Sequence, residues 1–208
     1  VKLHRSVAIV GLDRPGEWVS HFNAPGTEVW SLNSAHEVLP GVHFHRYFEL
    51  HRRAYLQRYE MGNWEARLKW MRDLKRKDCP VYVWEVWPEC KTARLYPKAD
   101  VEQLTPHGRY HLGSFDWMVA LAILEGFETI KLFAVDFSRG GEPIGARACL
   151  EYWLGFAEGR GIGVEVFGRG DLFKTYQLLR SDKQYGIEDV HLVEDAPDIS
   201  GVVWQTKR

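Results

Sequence analysis

Short apolar runs rich in β-branched and aromatic residues alternate along this chain with longer stretches of helical periodicity, and this alternation constrains the fold more than any other feature. The runs are Ser6–Gly11 (SVAIVG), Thr27–Leu32 (TEVWSL), about Phe44–Leu50, Val81–Val86 (VYVWEV), Thr129–Asp136 (TIKLFAVD) and Ile162–Phe167 (IGVEVF). Each ends near Gly, Asn, His or Asp. Between them Arg53–Lys77 reads as a long charged helix or a helix pair around Gly62, while Ser114–Glu125 and about Ala146–Gly159 read as shorter helices stopped by Gly126 and Gly159. Strands of this kind joined by helical crossovers predict an α/β fold with a mainly parallel sheet flanked by helices.

A chain of 208 residues buries roughly 70% of its unfolded surface, enough for one sizeable core. We therefore expect one domain over residues 1–180, with 181–208 as a C-terminal extension carrying the acidic pairs Glu188-Asp189 and Glu194-Asp195. Lys plus Arg number 27 against 28 Asp plus Glu, so no global field draws the chain to nucleic acid or an anionic membrane, although a local basic patch stays open. Composition excludes a disordered, collagenous or disulfide-scaffold protein. Cys79, Cys90 and Cys149 form no CxxC pair, and their odd number points to a reducing compartment, by default the cytoplasm. No run approaches ~18 apolar residues, so no membrane span is expected.

The segment Gly113–Phe137, GSFDWMVALAILEGFETIKLFAVDF, reads helix, turn, strand. Ser114 stands where a helix N-cap belongs. The open N-terminus behind it suits a phosphate, with Gly113 allowing close approach, although a serine here can simply cap its helix. Asp136 ends the strand, at the edge where open α/β sheets bind ligands, and either orients a ligand or caps its own turn. Gly11 begins the turn after the first strand; GLDRPG does not match a dinucleotide fingerprint, so this is a nucleotide-proximal loop at most. Asn33 and His36 follow the second strand.

From His43 to His51 a period of two places His43, His45, Tyr47, Glu49 and His51 on one face, a set able to bind zinc but better read as a solvated or loop-covered polar face. We expect no metal site, and keep Glu49 as a catalytic candidate. The connection Pro88–Gly113 exceeds the usual ~12–15 residues, so it either carries function or hides an element. It holds Arg94, a candidate phosphate ligand, and His107 and His111, candidate bases near neutral pH. Arg147, a further phosphate candidate, lies four residues before Glu151 and can pair with it.

The order VAIVG, VWSLN, a helix-opening G-S, then M-x-x-L-A-I-x-x-G-F-x-x-I-x-L-x-x-x-D-F and finally GIGVEVF resembles the bacterial lipooligosaccharide sialyltransferases. It is also similar to the motility-accessory-factor and pterin pyrophosphokinase-like proteins. The resemblance implies a Rossmann-like sheet and a cytidine monophosphate sugar donor used without a metal or cofactor, with Asn33, Gly113, Ser114 and the Asp136-Phe137 turn around the nucleotide. The family's catalytic His belongs between the Asp136 strand and the next helix, where this chain has none, leaving Glu142, His107 or His111 as the base. The expected function is glycosyl transfer from a nucleotide sugar to a glycan, a small molecule or a nucleic-acid base. The rivals are a nucleotide-sequestering protein and a magnesium-dependent pyrophosphate-transferring enzyme.

Overall fold

In the computed structural model, every apolar run of the sequence joins one sheet, ordered β5-β4-β3-β2-β1-β6-β7-β8. The residues described are 5–58, 64–74, 79–137, 145–168, 170, 172–173 and 204–205. The strands are β1 (Ser6–Val10), β2 (Thr27–Leu32), β3 (Arg46–Glu49), β4 (Val81–Val83), β5 (Ala93–Leu95), β6 (Thr129–Phe133), β7 (Gly163–Phe167) and β8 (Trp204–Gln205). Pairs β1 to β7 are parallel, and only β8 runs antiparallel, beside β7. The fold is the expected α/β type, with a mainly parallel sheet covered by helices.

Period-two alternation sends the strand residues to two separate cores. Val7, Ile9, Trp30, Leu32, Phe48, Ile130 and Leu132 pack under α5 (Lys98–Glu102), α6 (Ser114–Leu124) and α7 (Ala146–Gly159). Ala8, Val10, Val29, Tyr47, Val81, Val83 and Phe133 face the other way. That second core is closed by α1 (Val19–Phe22), α2 (Ala35–Val38), α3 (Arg53–Arg58) and α4 (Trp64–Asp73). Because both faces are buried, the strands read as continuous apolar runs rather than alternating ones.

Several boundaries differ from the sequence reading. Of the two alternatives for Arg53–Lys77 the structure takes the helix pair, but the second helix ends at Asp73, with 59–63 and 75–78 outside the described residues. The connection Pro88–Gly113 hides β5 and α5, both too short to give a periodic signal. Gly159 is the last residue of α7, and it is Gly161, at φ 79°, that turns the chain, whereas Gly126 turns it after α6 at φ 73°. The extension 181–208 lies outside the described residues except for Trp204–Gln205, which adds the last strand. No helix among the described residues is long and apolar enough to cross a membrane.

Candidate active site

Strand order reverses at β1, which pairs with β2 on one side and β6 on the other, and in open α/β sheets such a switch point is where the ligand crevice lies, beyond the carboxyl ends of the strands. Gly11 donates its N–H to the Phe133 carbonyl at 2.7 Å, and Asp13 donates to the Ala134 carbonyl at 3.1 Å. A Cβ on Gly11 would stand 2.3 Å from that Ala134 oxygen, so glycine is required here by the neighbouring strand end. Ala134 is left-handed at φ 57° and ends β6 three residues before the expected boundary at Asp136. Asp136 is half-buried on the loop beyond it, where Gly170 crosses so closely that a Cβ would lie 3.0 Å from the Asp136 Cα. Asn33 follows β2 beside this crevice, also left-handed at φ 54°.

The mouth of α6 differs from its expected form. Gly113 is the N-cap and Ser114 the first helical residue, so Ser114 does not cap its own helix. The cap is Asp116, whose Oδ2 accepts the N–H groups of Leu112 and Gly113, both at 2.9 Å, while its Oδ1 lies 3.1 Å from His111 Nδ1. Gly113 therefore spends its donor on Asp116. Ser114 keeps its hydroxyl and N–H, and Phe115 its N–H, without partners among the described residues. A Cβ on Gly113 would touch Ala146 at 3.5 Å, which sets the mouths of α6 and α7 side by side. An acid three residues after a small residue marks a helix start, and that signal was present at Gly113-Ser-Phe-Asp116.

Beside these mouths lies a cavity of about 830 Å³, walled by the loop from Glu102 to Tyr110 and by Ala148, Glu151 and Tyr152 of α7. Ala148 is two residues past Ala146 and about 200° around the helix from it, so Ala146 is buried against Gly113 while Ala148 is exposed on the cavity wall. His107 lines it, exposed and edge-on to Tyr152 with ring centroids 6.4 Å apart. Arg109 is on the rim. Glu102 is held below the usual carboxylate range by its hydrogen bond from Lys98.

The other candidates scatter. His111 does not line the cavity: its ring is intercalated between Trp117 and Trp153, centroids 3.5 and 4.7 Å away, with Nε2 buried and unpartnered among the described residues. Glu49 lies across the sheet, fully buried, bonded to His51 Nδ1 at 2.8 Å and Arg67 Nη1 at 2.7 Å. The expected polar face is thus solvated at His43 and His45 but buried at Tyr47 and Glu49, where α4 covers it and brings Arg67 as counter-ion. Among the described residues no three His, Cys, Asp or Glu gather as metal ligands. Arg94 sits in the edge strand β5, four strands from β1, exposed and away from the crevice. Arg147 is in the first turn of α7 beside the mouth of α6, paired through Nε to Glu151 at 2.8 Å. Glu142 lies outside the described residues.

No family model matches the chain, and no curated protein matches it in sequence. Its fold does match solved sialyltransferases. A variant of the sialyltransferase CST-II in complex with CMP superposes with a TM-score of 0.53 at 15% identity, covering 78% of this chain and 81% of that one. CstII from Campylobacter jejuni with the substrate analogue CMP-3FNeuAc gives 0.52 at 15% identity, covering 78% and 81%. The monofunctional alpha-2,3-sialyltransferase Cst-I from the same organism gives 0.50 at 14% identity, covering 78% and 75%. The sheet with its flanking helices is therefore the fold of these enzymes, as the resemblance in sequence implies.

Proposed function

We propose that this chain is a glycosyltransferase that takes its donor from a nucleotide sugar and needs no divalent cation. The observation that carries this reading is the reversal of strand order at β1, on a fold shared with sialyltransferases that hold CMP or a CMP-sugar analogue. In this reading the nucleotide lies between Gly11, Asn33 and Asp136. Its phosphate meets the N–H groups of Ser114 and Phe115, which have no partner among the described residues, with the Ser114 hydroxyl and Arg147, and Gly113 shapes the approach. Leaving-group charge develops on that phosphate as the glycosyl bond breaks, which is where donors aimed in advance lower the barrier. The acceptor occupies the adjoining cavity, and His107, the base candidate that is both described and open to solvent, removes its hydroxyl proton. Glu142 remains the alternative base. Cys79, Cys90 and Cys149 are buried and in no disulfide, which fits the expected reducing compartment.

A direct test is incubation with CMP-linked and other nucleotide sugars in the presence of a chelator, following release of the nucleoside phosphate. The reading expects release, and His107→Ala should lower it at least tenfold, about 1.4 kcal/mol in the barrier, while affinity for CMP holds. A second reading, a module that binds a nucleotide without turning it over, is favoured by one observation: His111 and Glu49 are both buried and committed to partners. Tight nucleotide binding with no release from any donor establishes that second reading. Magnesium-dependent consumption of a nucleoside triphosphate points instead to pyrophosphate transfer.

A further inference from the structure

A group of side chains behind Asn33 has no part in the scheme above, yet it converges on that residue. Asn33 is left-handed, and two bonds hold it there: its N–H donates to the Phe48 carbonyl at 3.1 Å, and its own carbonyl accepts the Tyr47 phenol at 2.8 Å. Tyr47 is fully buried, and its hydroxyl also meets the His36 N–H at 3.2 Å and His36 Nδ1 at 3.1 Å. A phenol has one proton. With that proton on the shortest contact, to Asn33, both His36 groups must donate, which fixes the Nδ1–H tautomer. Burial pushes the Tyr47 phenol above its ordinary value, so the donor stays protonated at working pH. Trp70 of α4 stacks on His36 with centroids 4.5 Å apart and lies 4.4 Å from the Tyr47 ring, which fixes both from beneath.

The Asn33 backbone is therefore fully bonded while its carboxamide is not. Oδ1 is enclosed without a donor, and the carboxamide makes no hydrogen bond to any described residue. A left-handed backbone and a buried amide oxygen with no donor among the described residues, together at a strand end, mark a residue placed for something other than stability.

We infer that Tyr47 is a positioning residue of the nucleotide site: its phenol, steadied by His36, fixes the Asn33 carbonyl and so sets the Asn33 carboxamide toward a nucleotide in the crevice. This rests on the donor reading proposed above. Tyr47 touches no ligand, and it acts through Asn33 alone.

A double-mutant cycle read by calorimetric titration with CMP tests this. Asn33→Gly removes the carboxamide but accepts the left-handed backbone, so it should weaken CMP binding about tenfold while the melting temperature holds or rises. Tyr47→Phe should weaken binding about fivefold, and the double variant should bind no more weakly than Asn33→Gly alone. If Tyr47→Phe does not fold, His36→Ala takes its place in the same cycle. Losses that multiply in the double variant overturn the inference, as does unchanged affinity in Tyr47→Phe or Asn33→Gly; the donor reading survives any of these results. An unaltered chain that binds no CMP overturns the donor reading and this inference with it.

Discussion

The two edges of the sheet solve the same geometric problem with different residues. On the amino-terminal edge, the left-handed turns leading into β2, β3, β6 and β7 fall on Gly26, Gly41, Gly126 and Gly161. On the carboxyl edge, the left-handed positions after β1, β2, β6 and β7 fall, among the described residues, on Arg14, Asn33, Ala134 and Phe173, together with Gly168. Glycine takes that conformation freely, while other residues pay roughly 1 kcal/mol or more each. Polar groups divide the same way. At the amino-terminal edge Arg46 donates to both oxygens of Glu125, at 2.5 and 2.6 Å, to Glu28 at 3.0 Å and to the Tyr82 hydroxyl at 3.2 Å, above the Trp30 ring. The buried polar atoms without partners among the described residues belong to Asn33, Arg67, Trp87 and His111, all on or near the carboxyl edge. One edge is built for stability and the other tolerates strain, as expected of a binding edge.

Breaking the stable edge should have the largest effect. Arg46→Ala leaves half-enclosed Glu125 and Glu28 with only the longer ion pairs of the exposed Arg5 among the described residues, at 4.0 and 3.6 Å, and should lower unfolding stability by about 3 kcal/mol in urea while CMP affinity is unchanged. Burial opposes the charge on Arg46, but Glu125, Tyr82 and Glu28 together outweigh it and raise the guanidinium above its ordinary value. Next in size, Gly161→Ala forces a side chain into a left-handed turn and should remove about 1–2 kcal/mol. The mirror change sharpens the contrast: Ala134→Gly relieves strain at the carboxyl edge and should add about 0.5–1 kcal/mol, seen as a higher melting temperature.

The smallest effect is in pH. Burial lowers the titration of His36 and His45, so near pH 6 the unfolded chain binds protons that the folded chain refuses, and stability rises with pH. Melting temperature should thus fall as pH drops below about 6.5, the ordinary histidine value. His45 Nδ1 accepts the Val29 N–H at 3.0 Å, which protonation destroys, so His45→Gln should flatten part of that slope.

How much of this the sequence held depends on whether a feature is local. The segment from Gly113 to Phe137 was legible because its helix and strand are regular and both cores demand apolar residues there. Strands β1, β2 and β7 were legible for the same reason. The three-residue β5 and five-residue α5 were not, since neither spans two periods of its pattern. Site residues fared less well because their roles depend on partners far away in the chain. Glu49 looked like a strand-end acid until Arg67, eighteen positions on, neutralised it. His111 looked like a base until two tryptophans from separate helices enclosed it. Tyr47 looked like one residue of a polar stripe, and only the fold brings its hydroxyl to Asn33.

The central claim is that the nucleotide binds at the strained carboxyl edge. Backbone amide shifts of the labelled protein during titration with CMP test it most directly, because every loop reports separately. The account predicts shifts at Gly11–Arg14, Asn33–His36, Ser114–Asp116 and Ala134–Asp136, with none at Gly26, Gly126 or Gly161. Shifts confined to the amino-terminal edge, or no saturable shifts at either edge, would contradict it.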